Sequence, residues 1–136
     1  MAKVKTFECE IYKKDISIFL GTYDQMLTWA KEEFTNPAYA EFLKSMEESA
    51  PGGEADCHYD RGSCIVRLEK YPKSNGEIAC MNHELLHAVM FIMNSCGVCY
   101  SEQSNNEAFT YLLEWLTKKT LEKEGYEIVE DKLFRK

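Results

Sequence analysis

His83-Glu84-Leu85-Leu86-His87 says more about this chain than any other stretch, because helical spacing puts its two histidines on one face. At about 100° and 1.5 Å per helical residue, His83 and His87 stand one turn apart, with Glu84 beside them. Two neutral imidazoles so placed can coordinate Zn²⁺ at about 2.0–2.1 Å. The carboxylate between them lies too far round the helix to ligate and reaches a water activated by the ion, the position of a general base. The bland alternative is a helix with two hydrogen-bonded histidines and a solvated glutamate.

The rest of the chain supplies what packs around that helix. With 45% hydrophobic and 29% charged residues and no repeat or low-complexity tract, the 136 residues read as one domain over 1–136 with a single core. A net charge of −7 provides no basic field for nucleic acid or anionic headgroups, so both partners are excluded as expectations. The start, Met1-Ala2-Lys3-Val4-Lys5, lacks the apolar run of a signal peptide, and no segment reaches 18 apolar residues. A cytoplasmic protein with six reduced cysteines is the expectation.

Alternation at Ile16, Ile18 and Leu20 predicts a strand over Asp15–Leu20. Thr22 then caps a helix carried by Tyr23, Met26, Leu27, Ala30 and Phe34 and stopped at Asn36-Pro37. A second helix is expected from Pro37 to about Ser49, with Tyr39, Phe42, Leu43 and Met46 inward. Ala55–Tyr59 and Ser63–Glu69 flank Asp60-Arg61-Gly62 as antiparallel strands, with Cys64, Val66 and Leu68 on one face. The S-x-x-E pattern at Ser74–Glu77 starts the motif helix near Asn75, and its apolar second half, Ala88 to Met93, marks it as central and buried to about Asn94. Gly97 suits the helix end. A last helix is expected from about Glu102 to Glu124, ended by Gly125, with a short strand or tail over Tyr126–Phe134.

A catalytic zinc needs a third protein ligand. Glu107 in the last helix, twenty residues after His87, can supply it if the connecting loop folds that helix back on the first. Ser104-x-x-Glu107 is also a capping pattern, so the same glutamate can simply start its helix. The motif His83-Glu84-x-x-His87 followed by Asn106-Glu107 in a second helix resembles the gluzincin branch of the zincin metallopeptidases. That resemblance implies that His83, His87 and Glu107 bind zinc and that Glu84 is the base. Larger gluzincins carry an aspartate where this chain has Tyr111, which leaves Tyr111, Glu114 or a backbone carbonyl to orient an imidazole.

The layout over about residues 55–118 is similar to small zincin-like proteins encoded by bacteriophages. The implied fold is α+β, a small zincin-like domain whose short antiparallel or mixed sheet packs on the motif helix and a second, ligand-bearing helix. The implied function is zinc-dependent hydrolysis of a peptide bond in a peptide or protein substrate, which can be one dedicated target, in the host cytoplasm if the chain is phage-encoded. A non-catalytic binding or regulatory protein that keeps zinc for structure is the alternative.

Candidates to stabilise an oxyanion are His58, Tyr59, Arg61, Tyr100 and Tyr111, none of them specified by spacing, with His58 read first as a surface residue. In zincins an edge strand receives the extended substrate, and Ser63–Glu69 is the expected edge, the alternative being an ordinary paired strand. A structural Cys₄ site from Cys57, Cys64, Cys96 and Cys99 is a weaker metal reading, since Cys57 and Cys64 are not at knuckle spacing. Cys9 and Cys80 read as packing residues.

Overall fold

The structure, a computed structural model, describes residues 1–49, 53–60, 62–101, 103 and 106–130. Among these it is α+β: four helices and a five-stranded mixed sheet of order β3-β4-β2-β1-β5. In chain order the elements are β1 (Lys3–Cys9), β2 (Lys14–Leu20), α1 (Tyr23–Glu33), a short 3₁₀ turn (Pro37–Tyr39), α2 (Ala40–Glu48), β3 (Ala55–Asp60), β4 (Ser63–Leu68), α3 (Asn75–Ser95), α4 (Asn106–Leu121) and β5 (Glu127–Ile128).

β1 and β2 form an antiparallel hairpin in which Lys3 faces Leu20 and Cys9 faces Lys14. The chain then leaves the sheet through α1 and α2 and returns so that β4 lies parallel to β2, Ile16 opposite Cys64 and Leu20 opposite Leu68. A parallel pair requires such a crossover. β3 pairs only with β4 among the described residues, antiparallel, and therefore forms one border of the sheet. The sequence expectation that Ser63–Glu69 is the edge is corrected: β4 is an interior strand with neighbours on both sides. All six of its residues are buried, as are Ile16–Leu20 of β2, because helices cover both faces of the central pair.

One face carries Ile16, Ile18, Leu20, Cys64, Val66 and Leu68 against Met81, Leu85, Ala88 and Ile92 of α3 and Phe109, Leu112 and Leu116 of α4. The other carries Phe19 and Ile65 against Tyr23, Met26, Trp29 and Ala30 of α1 and Phe42 and Met46 of α2. The period-2 pattern of the strands thus sorts the side chains into two cores, one per face.

The helix ends follow their local chemistry. Thr22 and Ser74 each close a capping box, with Gln25 and Glu77 respectively. Gly97, at φ +76, takes the left-handed turn after α3. Carbonyls at the end of α4 and just past it accept hydrogen bonds from Lys5 Nζ (2.7 Å to Lys119 O and 2.6 Å to Glu122 O) and from the Tyr71 and Tyr126 hydroxyls. These tie α4 onto β1 and fix it alongside α3. The helix expected over Pro37–Ser49 opens with the 3₁₀ turn, and the last helix ends at Leu121, three residues before the expected limit. The expected start of that helix at Glu102, and the tail beyond residue 130, lie outside the described residues.

Candidate metal centre

α3 is nucleated by the Ser74–Glu77 box, reinforced by a 2.9 Å pair between Lys70 and Glu77. Backbone hydrogen bonds from Lys73 and Ser74, with Lys70 close by, hold the Glu77 carboxyl down at about 2. From that start the helix sets Met81, Leu85, Ala88, Val89 and Ile92 into the core, which turns His83, Leu86, His87 and Met90 outward. The expectation that the helix is buried on nearly every side beyond His87 is corrected at Met90, which is 44% exposed, and at Asn94. Only the stripe facing the sheet and α4 is enclosed.

His83, Glu84 and His87 come together as the sequence predicts, their donor atoms all within 4.8 Å of one another. The Nε2 atoms of His83 and His87 are 3.2 Å apart, the rings inclined at 72°. One Glu84 oxygen lies 4.0 Å from His83 Nε2. A 3.2 Å separation suits two states of an imidazole pair: one ring donating to the other, or both lone pairs directed at a shared cation. For metal–nitrogen bonds of about 2.05 Å it corresponds to an angle of about 103° at the ion, close to tetrahedral. Two imidazoles with a neighbouring carboxylate are also the donor set expected for a borderline-soft divalent metal. The residues therefore fit such an ion.

Glu84 differs from the histidines in its surroundings. The His83 side chain is 68% exposed and that of Glu84 only 12%. Burial raises the Glu84 carboxyl above the usual carboxylate range, against the opposing pull of His83 and His87.

Glu107, the expected third ligand, lies in the first turn of α4, exposed and outside this group. Phe109, two residues on, packs into the core, and the intervening 200° of helix aims Glu107 the other way. The alternative capping partner, Ser104, lies outside the described residues, as does Arg61.

The remaining oxyanion candidates separate. His58 is on the sheet face away from α3: its Nε2 is 3.0 Å from Asp56 Oδ1, and its ring meets Tyr23 edge-on. It is half-buried there rather than a surface residue, because Asp56 and His58 alternate with Cys57 and Tyr59 along β3. Tyr111 lines a different groove, between β1 and α4. Tyr59 stacks on Phe91 of α3, and Tyr100 meets Phe109. These two tyrosines flank a groove that begins at His87.

The thiols gather no four-sulfur site among the described residues. Cys57 and Cys64 are neighbours, with sulfurs 3.7 Å apart between β3 and β4, while the exposed Cys96 sits against the Tyr12 carbonyl.

Sequence reasoning missed the network of Asp56, His58 and Arg67, in which Arg67 donates to Asp56, Gly21 O and Gly53 O. Its one signal was Asp-x-His at alternate positions of a strand. No helix among the described residues is long and apolar enough to cross a membrane. Comparison with protein-family models, with curated proteins and with solved structures finds no match to this chain.

Proposed function

We propose that this chain is a small zinc-dependent metallopeptidase in which His83 and His87 hold the ion and Glu84 is the general base. The observation that carries the reading is the 3.2 Å approach of the two imidazole nitrogens beside a partly buried carboxylate whose affinity for protons is raised. Bound zinc supplies a Lewis acid that polarises a carbonyl and makes a water acidic. Glu84 takes the proton from the attacking water and returns it to the leaving amine, a task favoured by a carboxyl whose hold on the proton burial strengthens. The border of β3, which among the described residues pairs only with β4 and lies next to α3, offers backbone groups to an extended peptide. Glu107 enters as third ligand on the resemblance to gluzincins alone, and it is tested separately from the histidines.

Zinc content and cleavage, measured together on the full chain, test the proposal. Wild type is expected to hold about one zinc per chain. His83→Ala and His87→Ala lose it, and Glu84→Gln keeps it while peptide hydrolysis falls by at least about 10²-fold. Glu107→Gln reports on the third position: zinc bound as in wild type removes Glu107 from the ligand set without touching the rest. Wild type that binds no zinc overturns the proposal. A second reading, a binding protein that keeps the ion for structure, is favoured by the outward direction of Glu107 and the openness of the histidines. It displaces the first if Glu84→Gln keeps the biological effect in full.

A further inference from the structure

β5 covers only the start of β1. It pairs with Lys3 and Val4, and the next bond, Val129 N to Ala2 O at 2.9 Å, takes the chain away from the far end of that strand. Alternate residues of a strand turn their backbone groups to the same border, so Thr6 and Glu8 present theirs on the side where Ala2 and Val4 meet β5. Among the described residues no strand pairs with that side of β1 beyond Val4. In the sheet order this border lies at the end opposite β3, and so opposite the strand that neighbours the candidate metal centre.

A groove of about 690 Å³ separates this stretch from α4. In it Phe7 meets Trp115 edge-on, with ring centroids 5.5 Å apart, while Ile11 and Tyr111 are 84% and 64% exposed. Large apolar side chains gathered in the open mark a contact surface, and a strand border with backbone groups to spare is a template for one more strand.

The two faces of β1 decide what that strand carries. Phe7 and Cys9 turn toward the core under α4. Thr6 and Glu8 turn to the other face, where Thr6 meets Ser17 and Glu8 stands directly opposite Asp15, with the exposed Glu10 just beyond. Like charges directly opposite each other repel, and in a chain of net charge −7 a cationic side chain laid beside them relieves the repulsion. On the α4 face the one basic group of the groove lining, Lys119, already stands over the Trp115 ring at 5.8 Å, so a second cation is disfavoured there and an apolar side chain is favoured.

We propose that the border of β1 from Thr6 to Glu10 docks an extended segment of a partner protein in which apolar residues alternate with lysine or arginine. The apolar ones enter the groove against Phe7, Ile11 and Tyr111, and the basic ones lie beside Glu8 and Asp15. Neither an ion nor Glu84 takes part, so this surface stands whether the chain cleaves peptides or only binds them.

Calorimetric titration of the full chain with capped seven-residue peptides tests the assignment. A peptide alternating valine with lysine is expected to bind at least about tenfold more tightly than one alternating valine with glutamate, and less tightly as salt rises. Ile11→Asp and Glu8→Lys each weaken it by at least about fivefold; both positions are exposed, which keeps the result independent of either variant's folding. An added strand turns alternate amides toward β1, so methylating the nitrogens of the valines and methylating those of the lysines must block binding in one case and spare it in the other. A peptide that fails to bind at about 1 mM, or that binds either variant as it binds wild type, overturns the proposal. Equal affinity of the two methylated peptides means attraction without strand pairing and overturns it as well. Wild type that sediments as a dimer, and Ile11→Asp as a monomer, would make a second copy of this chain the occupant and overturn the choice of partner.

Discussion

Arg67, 2% exposed, and Asp56 form a charged pair at the sheet face covered by α1 and α2, with nitrogen–oxygen distances of 2.9 and 2.8 Å. The arginine also donates to Gly21 O and Gly53 O, so one side chain joins β4 to the start of α1 and to the approach to β3. Arg67→Met removes these donors and takes from buried Asp56 its arginine counter-charge, and urea denaturation is expected to show a loss of about 3–5 kcal/mol. Arg67→Met with Asp56→Leu recovers part of that loss, since no unpaired charge then remains. Burial pushes the Asp56 carboxyl up, but hydrogen bonds from His58 and Arg67 and their charges outweigh it and leave it below the usual range. A depressed value in the folded state gives stability that is complete above the unfolded value of about 3.9 and is lost as pH falls through the folded one. Asp56→Asn is therefore expected to flatten the acid limb of the stability profile below about pH 4, and an unchanged limb would count against the role of the pair. This network was illegible in the chain because it depends on strand register: Asp56 faces Arg67 only through the pairing of β3 with β4. His83, Glu84 and His87 were legible because helical spacing alone brings them together.

At the scale of elements, α3 carries the candidate centre and its first turn is held by charge as well as geometry. Glu77 accepts from the Lys73 and Ser74 amides and pairs with Lys70, which sets its carboxyl at about 2. Glu77→Gln preserves a capping-box side chain and removes only the charge, so the variant isolates the electrostatic part. Its melting temperature is expected to lie below that of wild type at pH 7. The gap narrows as pH falls from the unfolded value of about 4.3 toward 2, where wild type loses the same charge. A gap constant from pH 7 to 2.5 would assign the effect to geometry instead. The caps at Thr22 and Ser74, the breaks at Asn36-Pro37 and Gly97, and the hairpin over residues 55–68 were all readable, because each depends on residues within one or two turns. Strand order was not. Residues 63–68 and 55–60 are both short and partly apolar, and which of them borders the sheet is decided by the parallel pairing of β4 with β2 across more than forty residues. β1 was missed as a separate strand because Lys3, Lys5 and Glu8 break its alternation; the structure resolves the Lys5 contradiction by giving its ammonium the last carbonyls of α4. The direction of Glu107 was equally out of reach, since it depends on the rotation of α4 set by Phe109, Leu112 and Leu116 on the core.

Across the whole molecule, the candidate centre contributes little to holding the fold together. Its three side chains belong to one helix, and two of them face solvent, so an ion held by them alone bridges no pair of elements. The two cores lie on opposite faces of the sheet and close without it, and no buried side-chain nitrogen or oxygen among the described residues is left without a hydrogen bond. A domain of this kind differs from small zinc-dependent folds, whose apo forms are unfolded because the ion supplies most of the folding energy. Chelation by EDTA is therefore expected to leave the far-ultraviolet circular dichroism of the chain unchanged at 25 °C. The same treatment lowers the melting temperature only by the linkage term, about 2.7 kcal/mol when free zinc stands at a hundred times its dissociation constant, or roughly 10 °C for a domain of this size. His83→Ala without chelator should melt close to the EDTA-treated wild type, since both lack the ion and His83 makes no core contact. Loss of secondary structure on chelation would mean that zinc fastens α3 to a second element. In that case Glu107→Gln would unfold in parallel with the apo protein.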